Sequence, residues 1–222
     1  MRTVILASCV LALTVVHAGA QCLGDFDGDG RVTIDELITV VNNSLSNCQL
    51  SGPRFVDNGD GTVTDHKTGL QWEKKDNLDT TINTADPHDA DNFYSCSTSY
   101  AGALDGSTYT DFLSKLNDGT SYDGGAGTPI TGCFAGHCDW RLPTIVELQG
   151  IVDATQGTCG GNRGACIDAA FGPTQADQYW SATTPAGEPP YGFRVQFGSG
   201  GLVVDGSLKI ESRYVRAVRG GS

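Results

Sequence analysis

Near the start of the chain, Asp25, Asp27, Asp29 and Glu36 stand at intervals that can wrap an ion. Calcium takes about six to eight oxygens, and a twelve-residue loop of the EF-hand type supplies them from positions 1, 3, 5, 7 and 12, with glycine at 6 for the turn. Counted from Asp25, the side chains at the first, third and fifth positions are Asp25, Asp27 and Asp29, and Gly30 follows. Arg31 then offers its backbone carbonyl, Thr33 holds the ninth position, and Glu36 closes the loop as a bidentate carboxylate. An acidic surface turn has no need of this spacing, so the expected cofactor is Ca2+. The stretch "DNGDGTVTD", Asp57 to Asp65, begins in a similar way, but its third position is Gly59 and no carboxylate falls at its twelfth. It reads as a hairpin turn.

The loop needs an element to hold it. Ile34, Leu37, Ile38, Val41 and Leu45 recur at helical spacing and predict an exit helix. Only "QCLG" precedes the loop, which leaves no room for an entering helix, so residues 21–50 form half of an EF-hand. The module is similar to one repeat of a dockerin. Cys22 and Cys48 flank it, and a bond between them would add about 3 kcal/mol by restricting the unfolded chain. A unit this small needs such a staple, and calcium is expected to stabilise the module itself.

Residues 1–20 read as a secretory signal: an early Arg2, an apolar run from Val4 to Val16, and small residues at Ala18 and Ala20. Cleavage near Ala20 would give a protein that is secreted or held at the cell surface or in the periplasm, where disulfides are the default. Seven cysteines then remain. Cys133 with Cys138 and Cys159 with Cys166 are local pairs, which leaves Cys96 odd, as a buried thiol or a link between chains. A zinc site using His137 is the alternative use of Cys133 and Cys138. The net charge of −12 argues against nucleic acid or an anionic membrane as partner.

After a linker at 51–53, residues 54–222 read as one α+β domain. Short extended runs separated by Gly, Asn and Asp turns open it, and strands return at its end. Two helices are expected between them, one near Tyr109 to Leu116. The other is announced by Thr144 and Glu147 at capping-box spacing, with Ile145, Leu148 and Val152 facing inward.

Four stretches in this domain, "RFVDNGDGTVTDHKTGLQWEKK", "CDWRLPTIVEL", "YWSAT" and "YVRAVRG", occur in an order that resembles the family of the C-terminal domain of the Legionella collagen-like adhesin. The resemblance runs from Arg54 to Gly220. It implies an extracellular domain related to the C-type lectin-like fold, adhesion to sulfated glycosaminoglycans, and trimer formation.

The residues themselves suggest where a ligand would sit. From Tyr191 onward there are five basic residues and two acidic ones, a local net charge of +3 on an acidic protein. Arg213, Arg216 and Arg219 fall in one expected strand and are candidate contacts for anionic groups on a glycan, because arginine forks match sulfate and carboxylate. Alternation places Arg213 and Arg219 on one face and Arg216 on the other. Trp140 and Trp180 are either core aromatics or a platform for a sugar ring. Arg141 is expected to bridge to Glu147 or Asp139. Asp86, Asp89 and Asp91 form either a solvated acidic loop or a second cation site. Known catalytic motifs are missing from the sequence. The expectation is a secreted, calcium-binding, non-catalytic protein that recognises an extracellular glycan or surface protein. A structural or assembly protein that forms homo-oligomers, and an accessory protein or enzyme of polysaccharide degradation, stay open as alternatives.

Overall fold

The computed structural model describes residues 31–34, 37–38, 52–118, 132–156, 159, 164–199 and 202–220. The chain divides into two compact units, Met1–Gly52 and Pro53–Ser222. In the first, Ile34, Leu37 and Ile38 are helical, and the amide of Leu37 donates to the Thr33 carbonyl at 2.9 Å. Asp25, Asp27, Asp29, Glu36, Cys22, Cys48 and the expected signal segment lie outside the described residues.

The second unit is mainly sheet with a few short helices. Strands β1 (Phe55–Asp57), β2 (Thr62–Asp65) and β3 (Leu70–Glu73) form an antiparallel meander. The expected turn joins β1 to β2. Its Asp57 carboxylate accepts from the Gly59 amide, and Gly59 and Gly61 take positive φ values of 77° and 85° that a side chain would resist. The next turn is built on Asp65, whose carboxylate accepts from the Lys67 amide, the Thr68 hydroxyl and the Arg54 guanidinium. Strand β4 (Tyr94–Ser95) follows. The expected helix near Tyr109 is a π-turn over Thr108–Phe112 running into α1 (Leu113–Asn117), with Phe112, Leu113 and Leu116 buried.

Helix α2 (Ile145–Gly150) starts with the capping box. The Thr144 hydroxyl accepts from the Glu147 amide at 3.3 Å, and the Glu147 carboxylate accepts from the Thr144 amide at 2.7 Å. Strands β5 (Gln178–Trp180), β6 (Tyr191–Gln196) and β7 (Leu202–Leu208) make a second antiparallel sheet. Strand β8 (Ser212–Arg213) pairs with β4, and β9 (Val218–Arg219) closes the first sheet beside β3.

Two buried clusters form the core. One gathers Phe55, Trp72, Leu148, Phe171, Tyr179, Val195 and Phe197, and the other gathers Tyr94, Phe112, Leu116, Phe134, Trp140 and Trp180. Burial of this many large apolar side chains stabilises the fold at about 25 cal/mol per Å² of apolar surface removed from water. The chain pairs Cys133 with Cys138 and Cys159 with Cys166, and Cys96 is a buried free thiol.

The C-terminal arginines do not share one strand. Arg213 belongs to β8 and Arg219 to β9, in different sheets, and Arg216 lies on the connection between them. The sequence pattern missed this because each strand is only two residues long. A chain that changes partner so quickly leaves no periodicity to read.

Candidate functional site

Strand β8 pairs with β4 through Tyr94 opposite Arg213, and one residue later the chain turns to β5, where Tyr214 bridges Tyr179. The Tyr214 amide donates to the Gln178 carbonyl at 3.2 Å, and the Trp180 amide donates to the Tyr214 carbonyl at 2.9 Å. This handover between sheets opens a cavity of about 230 Å³ lined by Phe93, Asp177, Gln178, Ser212, Arg213 and Tyr214. Phe93 is 46% exposed although it is large and apolar, and its ring meets Tyr214 edge to face at 6.4 Å. Tyr214 in turn packs on the buried Tyr179 at 5.6 Å. Such backing holds an aromatic surface still at little conformational cost.

Arg213 is the basic group of the cavity. Its Nε donates to the Gln178 side-chain oxygen at 3.0 Å and its Nη2 to Glu211 at 2.6 Å. Beside it stands a residue the sequence reading did not single out. Arg194 on β6 has a side chain only 14% exposed, and its Nε and Nη1 are buried without a hydrogen-bond partner among the described residues. Oε2 of Glu211 stops at 3.8 Å from Nη1. Burial and then the neighbouring Arg213 lower the Arg194 pKa, while Glu211 and Asp177 oppose that shift. The +3 surplus after Tyr191 was the one sequence signal that pointed to Arg194.

Arg216, expected as a glycan contact, is 0% exposed. Its Nη1 donates to the carbonyls of Glu73 and Phe171 at 2.7 and 3.1 Å, and its Nη2 donates to the Thr174 hydroxyl at 2.8 Å. It is out of reach of a surface ligand. Arg219 donates to Asp139 and to Gln71, both at 2.8 Å, on another sheet from Arg213. The three arginines therefore do not converge. Trp140 and Trp180, 3% and 0% exposed, are core residues and offer no ring face to a sugar. Arg141 takes Glu147 as its partner in a two-pronged pair at 2.9 and 2.7 Å. That pair, with the capping bonds from Thr144, holds the Glu147 carboxyl at about 2.

Arg216 belongs to a buried charge network. One Glu73 oxygen meets Lys75 at 2.8 Å and His88 at 3.0 Å, and the other accepts from the Ala217 amide at 2.9 Å. Burial by itself would raise the Glu73 carboxyl, but Lys75, His88 and Arg216 outweigh it and hold the group at about 2. The acidic loop is part of this interior: Asp86, His88, Asp89, Asp91 and Asn92 are all buried. Its carboxylates brace backbone. Asp86 accepts from the His88 amide, Asp89 from the Asp91 amide, and Asp91 from the amides of Asp79 and Thr80 and from Gln175. Among the described residues, no group of three metal-ligating side chains is placed to hold an ion. Asp76 is the unbalanced member, because both of its oxygens are buried without a partner among the described residues. Burial and the nearby Asp86 raise it to about 6.

Among the described residues, cysteine chemistry is closed off in two ways. Cys133 and Cys138 are bonded to each other and offer no thiolate to a zinc ion beside His137. The Cys96 thiol is 2% exposed and is pushed up to about 12 by burial, so it is inert and out of reach of a second chain.

A family model described as the Lcl C-terminal domain matches residues 61–219. No curated protein and no solved structure matches the chain.

Proposed function

The chain belongs to the Lcl C-terminal domain family, and from that premise we propose that it is a secreted, calcium-loaded, non-catalytic binding protein whose second unit recognises an anionic extracellular glycan. The observation that carries this reading is the cavity at Phe93, Tyr214 and Arg213. An exposed ring beside a guanidinium fork matches a sugar that bears a carboxylate or sulfate: the ring covers the C–H face, and the fork pairs with the charged oxygens. Gln178 and Ser212 add polar groups suited to hydroxyls. Family membership supports an adhesin-like surface role, and two disulfides support an oxidising compartment.

Calcium belongs to the first unit in this proposal, held by Asp25, Asp27, Asp29, the Arg31 carbonyl and Glu36. Arg31 to Thr33 are non-helical and a helix begins at Ile34, which fits a loop whose last ligand sits in the first turn of an exit helix. The ion would order that module and take no part in the sugar site. Melting the protein with calcium and with chelator checks this point: a higher melting temperature with calcium is expected, and equal temperatures with no heat of calcium binding would remove the claim.

The test of the site is an array of neutral, uronate-bearing and sulfated glycans, probed with residues 21–222 in calcium, in chelator and at raised salt. Binding to charged glycans should fail at high salt and survive in chelator. Absence of binding under every condition would remove the glycan reading.

A further inference from the structure

On the reading that the Arg213 cavity is the ligand site, we propose that Glu211 is a built-in competitor, holding the place that the oxyanion of a ligand takes. The Glu211 carboxylate sits between two guanidinium groups and satisfies only one of them. Its Oε2 accepts from Arg213 Nη2 at 2.6 Å and lies 3.8 Å from Arg194 Nη1, beyond hydrogen-bond distance. Arg194 is left with two buried donor nitrogens, Nε and Nη1, that have no acceptor among the described residues. Donors desolvated in this way are a standing penalty in the free protein, and they favour any oxygen that reaches them.

The competitor is able to leave. Glu211 is fixed through its backbone, where its amide donates to the Leu208 carbonyl at 2.9 Å, but its side chain is 42% exposed. Partly exposed ion pairs are weak, on the order of 1 kcal/mol, so a rotamer change that releases the carboxylate to water is inexpensive. The other polar partners of Arg213 stay in place, since its Nε rests on Gln178 and its Nη1 on the Ser212 carbonyl. A ligand oxyanion entering the fork then finds an arginine already aimed. Arg194, whose Nε and Nη1 are buried, adds its positive charge beside Glu211. Weak ligand groups would fail to displace Glu211, so the residue sets a threshold of charge for recognition.

Asp177 provides the control, because it lines the same cavity and carries the same charge while its carboxylate accepts from the Gln178 amide and leaves the fork alone. The experiment is a titration of inorganic sulfate into residues 21–222, followed through arginine Nε–H resonances, for wild type, Glu211→Gln, Glu211→Ala and Asp177→Asn. Both Glu211 variants should lower the half-saturating sulfate about fivefold, the inverse of a weak internal pair. Asp177→Asn should lower it less than about twofold, as a change of field only. Equal midpoints in wild type and both Glu211 variants, or equal shifts in Glu211→Gln and Asp177→Asn, would overturn the proposal. The glycan array separates it from the reading beneath it. Glycan binding lost in Arg213→Ala, with unchanged sulfate midpoints in the Glu211 variants, removes the competitor and keeps the site. Lowered midpoints with no glycan bound keep the competitor and remove the glycan.

Discussion

Arg213 and Arg216 lie three residues apart and carry the same side chain, yet one opens onto a cavity and the other is 0% exposed. The difference lies in what each guanidinium touches. Arg213 rests on the side chains of Gln178 and Glu211 and on one local carbonyl, and the Glu211 side chain is 42% exposed. Arg216 is anchored on the Glu73 and Phe171 carbonyls and on Thr174, and its guanidinium lies 5.3 Å from the Phe171 ring centroid. A buried guanidinium with fixed partners joins β3 to the C-terminal segment. A partly exposed one with an exposed partner lines a cavity instead. Arginine count and local net charge do not separate these two roles; only the identity of the acceptors does.

The widest test of the contrast is loss of each guanidinium in turn. Arg216→Ala removes the guanidinium donors from the Glu73 carbonyl and the Thr174 hydroxyl and leaves a buried network short of one positive charge, so urea unfolding should show a loss of about 4 kcal/mol. Arg213→Ala should lower stability by less than about 1 kcal/mol, as for other exposed pairs. If the two variants unfold at the same urea concentration, the division into structural and binding arginines fails.

Next in size is Glu73→Gln, expected to lose about 3 kcal/mol at neutral pH because Lys75 is left buried beside an uncharged partner. The pH dependence sharpens the point. The folded-state Glu73 carboxyl is depressed from 4.5 to about 2, so its contribution is complete above 4.5 and is lost as pH falls towards 2. The acid limb of the stability profile should flatten in the Gln variant, and an unchanged limb would place the acid sensitivity elsewhere.

Binding supplies a mid-sized effect. Arg213→Ala and Phe93→Ala should each weaken a charged glycan about tenfold, read by surface plasmon resonance. Arg219→Ala, on another sheet, should leave affinity within about twofold. Equal losses from Arg213 and Arg219 would move the site away from the cavity.

Asp76 gives the smallest effect and the opposite sign. Its folded-state carboxyl is raised from 3.8 to about 6, so the ionised form opposes folding at pH 7 and that penalty fades as pH falls through 6 towards 3.8. Asp76→Asn should therefore gain about 1 kcal/mol at pH 7, a figure reduced for solvent screening, and should match wild type near pH 4. A loss of stability at pH 7 would mean that the carboxylate has a partner the hydrogen-bond pattern does not reveal.

What the sequence determined by itself is what neighbouring residues decide among themselves. The turn after Asp57 follows from glycines at positive φ and an Asp carboxylate two residues from its target amide. Thr144 and Glu147 cap α2 because a helix start leaves free amides that residues at this spacing reach. Cys133 with Cys138, and Cys159 with Cys166, pair across short loops. The proposed calcium loop from Asp25 to Glu36 likewise rests on spacing within one short stretch, and its calcium titration is the check on it. Tertiary structure decided the rest. Phe93, Gln178 and Arg213 come from three distant stretches, and no local pattern says that they share a cavity. The acidic loop from Asp86 to Asn92 reads as solvated from its composition, but its carboxylates find amide donors that the folded loop supplies, and it is buried. Arg216 reads as a surface charge until Glu73, Phe171 and Thr174 are brought around it. A side chain's polarity is written in the sequence, but whether that polarity is met by water, by a ligand or by the fold depends on which acceptors arrive beside it. Packing alone sets that.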